Sequence, residues 1–94
     1  MGFRLAATGP VRAIYTKVVQ DHPQLREMVA ESGFDNLGIK EQQHLIHMVD
    51  MYEWHLSKAK DYGREYQTVC RTYSERAESL KEQIKTRFGH VMKQ

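Results

Sequence analysis

The chain has 94 residues, of which 28% are charged and 40% hydrophobic, and its formal net charge is +2. This length allows one small domain, and the composition is typical of a folded helical protein rather than a disordered chain. It offers no apolar run long enough for a transmembrane helix, and the single cysteine, Cys70, excludes an internal disulfide.

The N-terminal segment, residues 1–20, carries Arg4, Arg12 and Lys17 and no acidic residue. This composition is similar to that of a mitochondrial presequence, although serine is absent. A lone cysteine gives no indication of an oxidising compartment. We therefore expect a reducing intracellular compartment, with the cytoplasm as the first expectation and the mitochondrion as the alternative.

Two short helices are predicted after a flexible tail, residues 1–9. The first is expected over about Pro10–Gln20, where apolar residues recur at helical spacing. The tripeptide Asp21-His22-Pro23 ends it and starts the second, because a residue before proline avoids the helical conformation and proline suits a first turn. The second helix is expected to end near Ser32-Gly33, where glycine tolerates a helix terminus.

A long stripe dominates the rest of the sequence. Apolar or small residues recur at alternating spacings of four and three, and only Arg87 interrupts them with a charge. The series is Leu45, Val49, Tyr52, Leu56, Ala59, Gly63, Tyr66, Cys70, Tyr73, Ala77, Leu80, Ile84, Arg87 and Val91. A repeat of 3.5 residues keeps one side of a helix facing a partner helix.

No proline follows Pro23, so the stripe predicts one long helix from about Ile39 onward. A break near Asp61–Gly63 is the alternative. A continuous helix of this length is too long to be covered by the other half of the chain, so the stripe predicts a partner: a second copy or another helical protein.

A second apolar set lies off the stripe and comprises Ile46, Met48, Met51 and Trp54. We expect the N-terminal helices to pack on the Met51–Trp54 side, because a helix that is apolar nearly all round lies between neighbours. Residues 10–60 then form a compact helical head, and residues 61–94 a projecting helical arm of the same domain. The predicted fold is all-α: two short N-terminal helices packed on a long C-terminal helix whose heptad-like stripe forms a helical hairpin or coiled-coil arm.

Five stripe residues are predicted to bind the partner: Leu56, Tyr66, Tyr73, Leu80 and Ile84. Large tyrosines alternate there with small residues, a pattern that favours antiparallel packing or a hetero-partner of complementary shape. On this hypothesis, Leu80→Glu abolishes association, whereas Trp54→Ala destabilises the head. The predicted function is a non-enzymatic protein–protein interaction module or accessory subunit that assembles through a long amphipathic helix, as a homo-oligomer or with a helical protein partner.

Two other functions are weighed against this one. Glu41 and His44 are three residues apart, a spacing that places two metal ligands on one helix face, and His47 follows three residues later. The first alternative is therefore a metal-binding helical bundle that uses Glu41, His44 and His47. Only one such Glu-x-x-His pair exists and no cysteine joins it, so the main hypothesis includes no metal.

The second alternative is a basic-arm nucleic-acid binder. Its cations are Arg64, Arg71, Lys85, Arg87 and Lys93. Acidic residues are interspersed among them, as on an ordinary solvated helix face, which makes nucleic acid the less favoured partner.

Catalysis has little support in the sequence. Cys70 falls in the middle of a predicted helix, and the sequence contains no serine-nucleophile motif and no glycine-rich phosphate loop. We expect no enzymatic activity and no cofactor.

Overall fold

A computed structural model describes residues 14–62 and 67–93. The first helix, α1, covers residues 14–21 of the described part. It is followed by α2 (Pro23–Met28), α3 (Glu31–Asp35), α4 (Ile39–Tyr62), α5 (Gln67–Phe88) and a 3-10 helix (Gly89–Val91). The predicted all-α fold is confirmed, with a long C-terminal helix that packs on the helix before it. The predicted tail, residues 1–9, lies outside the described residues.

The second predicted helix is divided in two. Pro23 lies in the first turn of α2, as expected, but α2 ends at Met28. Val29 is extended, with φ −126° and ψ 129°, and it forms an isolated antiparallel bridge with Met92. The expected end near Ser32-Gly33 is therefore wrong, because the backbone of Val29 pairs with the C-terminal segment instead of continuing the helix.

The long stripe belongs to two antiparallel helices. At one end of the pair, the Arg87 guanidinium lies 3.3 Å from the Glu41 carboxylate, and at the other the Tyr62 and Tyr73 rings stack 5.9 Å apart. The expectation of one continuous helix is wrong, and the alternative break near Asp61–Gly63 agrees with the end of α4 at Tyr62. Residues 61–94 were expected to project as an arm, but α5 lies along α4.

The stripe forms the core of this hairpin. Its two halves bury each other within one chain, which brings them together without the cost of associating two molecules. The buried hydrophobic cluster contains Tyr15, Val19, Leu25, Val29, Phe34, Leu45, Met48, Val49, Tyr52, Ala77, Ile84, Phe88 and Val91.

The N-terminal helices pack beside the stripe rather than on the side predicted for them. Tyr15 and Phe34 join Leu45 and Val49 in the core, and the Tyr15 and Phe34 rings lie 5.4 Å apart. Trp54 remains 51% exposed. The expectation that these helices cover the Met51–Trp54 side is therefore wrong, because α1–α3 cover the edge of the hairpin formed by Leu45 and Val49.

The C-terminal segment closes the fold. The backbone N–H of Lys93 donates to the carbonyl of Met28 over 2.7 Å, next to the Val29–Met92 bridge. Val91 is buried, and it lies so close to Gly33 that a Cβ atom there would be 2.8 Å from the Val91 carbonyl oxygen. Backbone contacts thus join the C-terminal segment to the connection between α2 and α3.

Candidate functional site: an exposed aromatic face

One side of the hairpin carries large side chains that the core covers only in part. We call this surface the aromatic face. It comprises Met51, Trp54, Lys58 and Tyr62 on α4 and Tyr73, Arg76 and Leu80 on α5. The α4 members are three or four residues apart, so the helix places them on one side.

Ring contacts connect the two helices across this face. The Trp54 ring meets the Tyr73 ring edge-on at 5.7 Å, and Tyr73 stacks on Tyr62 at 5.9 Å. The His55 ring lies 5.0 Å from Trp54, and its Nδ1 hydrogen-bonds the carbonyl oxygen of Met51 over 2.7 Å. Offset and edge-to-face contacts of this kind hold aromatic side chains in defined orientations.

Several large apolar side chains of this face are exposed to solvent. Trp54 is 51% and Met51 38% exposed, and Tyr62 is about as exposed as Met51. Single exposed apolar residues are ordinary on proteins, but clusters of them mark interaction sites. Tryptophan and tyrosine are also the side chains that most often anchor protein interfaces.

A positive charge lies over the Trp54 ring. The Lys58 ammonium lies 5.5 Å from the centroid of the Trp54 ring, within reach of a cation–π interaction. Neither Lys58 nor Arg76 forms an ion pair with any residue that the structure describes. Both cations are therefore free to meet an anionic partner.

A groove runs between the two helices at this face. Its volume is about 230 Å³, and its lining, which includes no acidic residue, comprises Met51, His55, Arg76, Ser79, Leu80 and Gln83. A second groove of about 430 Å³ shares Ser79 and Gln83 with the first and extends toward His44 and Arg87. The two form an open depression along the side of the hairpin.

The predicted partner-binding residues are divided between this face and the core. Tyr73 belongs to the aromatic face, and Leu56 packs partly buried against the core. Leu80 does both, because it lines the groove of this face and is partly buried against the core. Ile84 is 0% exposed, so in this conformation it contacts only its own chain. Tyr66 lies outside the described residues.

Trp54 is the main residue that sequence reasoning assigned to the wrong environment. Its spacing from Met51 correctly indicated an apolar helix side off the stripe. Periodicity alone does not tell whether such a side is covered by a neighbour or open to solvent. Lys58, one turn after Trp54, was the available signal of an exposed surface, because lysine is rarely buried.

The histidine cluster proposed as a metal site does not converge. Glu41 pairs with Arg87, and His47 is exposed. The His44 ring lies 6.0 Å from the Phe88 ring. Within the described ranges, the three metal-ligand side chains that do converge are instead His22, Asp50 and Glu53.

The cations of the predicted basic arm are partly engaged with acids. Arg87 pairs with Glu41 over 3.3 Å and Lys85 with Glu82 over 3.7 Å, while Arg64 lies outside the described residues. Such pairing is typical of a solvated helix surface.

Comparisons with protein-family models, curated proteins and solved structures find no match to this chain. Among the described residues, no helix combines the length and apolarity needed to cross a membrane.

Proposed function

We propose that this chain is a non-enzymatic helical interaction module, or accessory subunit, that binds an acidic amphipathic helix of another protein on its aromatic face. The observation that carries the proposal is the exposed Trp54–Tyr73 ring pair beside Lys58 and Arg76, two cations without an ion pair in the described part of the chain.

A helix is the partner element that best suits the shape of the groove. Two antiparallel helices leave a depression along each side, and a third helix can pack there with its apolar residues in the groove. Met51 and Leu80 provide the apolar floor, and Trp54 and Tyr73 provide the larger anchors. Acidic residues flanking the apolar side of the partner would meet Lys58 and Arg76.

A second copy of this chain fits the face less well than an acidic partner does. Symmetric pairing would bring the same positive side chains, Lys58 and Arg76, toward their equivalents in an environment partly shielded from water. Like charges placed together oppose association. We therefore assign the face to a different protein and treat self-association as an outcome of the test.

The stripe residues have a different part in this proposal from the one first predicted. Ile84 and Leu56 hold α4 against α5 and so build the platform, while Tyr73 and Leu80 contribute to the binding surface. The single Cys70, a free thiol on α5, is in keeping with a reducing intracellular compartment for the complex.

Site-specific photo-crosslinking in intact cells tests this proposal. A photoreactive phenylalanine analogue replaces Trp54, and in a control chain it replaces Glu78, which is exposed on the side of α5 nearer Tyr52. We expect a discrete crosslinked protein from position 54 that is absent from position 78. Competition by the unlabelled chain should reduce the product.

Two charge-reversal variants, one on the aromatic face and one away from it, provide the test and its matched control. Arg76→Glu, introduced with the crosslinker at position 54, should reduce the product at least tenfold. Lys60→Glu, an exposed change of equal charge away from the face, should leave it intact. A product that survives Arg76→Glu, that contains only copies of this chain, or that proves to be nucleic acid contradicts the proposal.

A further inference from the structure

We propose that His22, Asp50 and Glu53 form a Zn²⁺ site at the junction of α1, α2 and α4. One ligand atom from each side chain lies within 4.8 Å of the other two. The His22 Nδ1 atom lies 2.8 Å from Glu53 Oε1 and 3.9 Å from Asp50 Oδ1. None of the three residues belongs to the aromatic face, and the proposal does not depend on the function of that face.

The fold positions these side chains before any metal binds. Asp50 and Glu53 are three residues apart on α4, so they share one side of the helix. His22 separates α1 from α2, and its backbone N–H donates to the carbonyl of Val18 over 2.9 Å. The imidazole is thus held at the end of one helix and faces two carboxylates of another.

The local charge favours a divalent cation. Glu53 is only 19% exposed, and within the described residues neither carboxylate forms an ion pair with a lysine or arginine. The two carboxylates lie close together, and that of Glu53 is largely buried, so they repel each other and a bound cation would offset the repulsion.

The donor set favours Zn²⁺ over Mg²⁺ and Ca²⁺. One imidazole nitrogen with two carboxylate oxygens is a ligand set that Zn²⁺ accepts, whereas Mg²⁺ and Ca²⁺ prefer oxygen alone. Tetrahedral zinc places its ligand atoms about 3.3 Å apart. The two observed separations, 2.8 Å and 3.9 Å, lie on either side of that value. Asp50 is 64% exposed, which leaves room for water as the fourth ligand.

Metal binding is compatible with the other role of Glu53. Its second oxygen, Oε2, accepts a hydrogen bond over 2.9 Å from the backbone N–H of Gln24 in the first turn of α2. Coordination through Oε1 would replace the hydrogen bond to His22 and leave the one to Gln24 in place. Zn²⁺ would then tie α2 to α4 and stabilise the fold.

Titration calorimetry and thermal unfolding of the full, tag-free chain test the site, with ZnCl₂ and MgCl₂ as the probes. We expect one Zn²⁺ per chain and a rise in Tm of roughly 10 °C at a large excess of Zn²⁺ over Kd. MgCl₂ at the same concentration should leave Tm unchanged.

Asp50→Asn is the decisive variant, because Asp50 is exposed and takes no part in the hydrogen bond to Gln24. It should lower Zn²⁺ affinity at least tenfold and leave the Tm of the metal-free protein unchanged. The double variant His44→Ala/His47→Ala should bind Zn²⁺ like the original chain. Equal Zn²⁺ binding by Asp50→Asn, loss of binding in the double variant, or no saturable binding at all would overturn the proposal.

Discussion

Gly33 lies against the last residues of the chain, and the lack of a side chain is what allows that approach. An added Cβ would be 2.8 Å from the carbonyl oxygen of Val91 and 2.9 Å from its Cβ atom. Both distances are shorter than van der Waals contact permits, and the carbonyl oxygen belongs to backbone that cannot move like a flexible side chain.

Gly33→Ala should therefore destabilise the protein by about 1–3 kcal/mol, because overlap in a packed site outweighs the gain in helix propensity. Urea unfolding followed by circular dichroism measures this change. Gly89→Ala is the matched control, because a Cβ there meets no atom within 4 Å. Equal free energies of unfolding for the two variants would mean that Val91 does not pack on Gly33.

Tyr15 gives the fold a dependence on alkaline pH. Its hydroxyl donates to the carbonyl of Val29 over 2.8 Å. Burial, and next the charge of Glu31, raises the pKa of Tyr15 above its ordinary value of 10.0. Burial, and next the charge of Glu78, raises the pKa of Tyr52 in the same direction.

A phenol whose pKa is raised in the folded state ionises more easily in the unfolded chain. The contribution of these two tyrosines to stability should therefore be constant below about pH 10 and fall as pH rises from there through the raised pKa values. Urea unfolding at a series of pH values measures the decline. Tyr15→Phe should cost about 1 kcal/mol at neutral pH and make the decline shallower. An unchanged slope in Tyr15→Phe would exclude Tyr15 as its source.

For α4 and α5, the sequence correctly predicted which positions are buried but not which helix buries them. A second molecule was expected, and the structure shows the other helix of the same chain. Alternating spacings of four and three identified the buried side of both helices, including Leu45 and Ile84, which are fully buried. The same spacing serves a hairpin and an intermolecular coiled coil, so it did not identify the partner. The sequence between Tyr62 and Gln67 carries no proline, and a helix break near Asp61–Gly63 was predicted only as an alternative.

Arg87 illustrates why a charge can interrupt the stripe without disrupting packing. It lies at the rim of the hairpin, half-exposed, with its guanidinium on Glu41. Phe88, the next residue, takes the buried position. The sequence shows that a charge interrupts the stripe at Arg87. The register between α4 and α5 explains why, because it places Arg87 at the rim and Phe88 in the core.

The hairpin changes the first expectation for Trp54→Ala and sets a new one for Ile84→Ala. Ile84→Ala should destabilise the protein by about 2–5 kcal/mol, because it empties a fully buried site in the core. Trp54→Ala should cost about 1 kcal/mol, since the ring is half-exposed and loses mainly its contacts with Tyr73 and His55. Urea unfolding of both variants measures the difference, and a larger loss for Trp54→Ala would place the tryptophan in the core.

The described molecule is a helical hairpin whose α4 and α5 bury the stripe residues against each other. The aromatic face stays exposed to solvent. Tyr73 and Leu80 of this face were predicted from the sequence as partner contacts. Trp54 was placed in the core instead, because an apolar helix side has the same periodicity whether covered or exposed. His22 is far from Asp50 and Glu53 along the chain, so their convergence depends on tertiary packing that no local spacing predicts.

The two halves of the stripe pair within one chain, and the distance between Lys40 and Thr86 measures whether they do. Both residues are exposed, on α4 and α5 respectively. Spin labels at these two positions, in a Cys70→Ser chain diluted with unlabelled protein, report the distance by pulsed electron paramagnetic resonance. Packed helix axes are about 8–10 Å apart, so the hairpin predicts labels within roughly 30 Å. One continuous helix, at about 1.5 Å per residue, would separate the labels by roughly 70 Å. That separation, or a short distance that disappears on dilution, would exclude pairing of α4 with α5 within one chain.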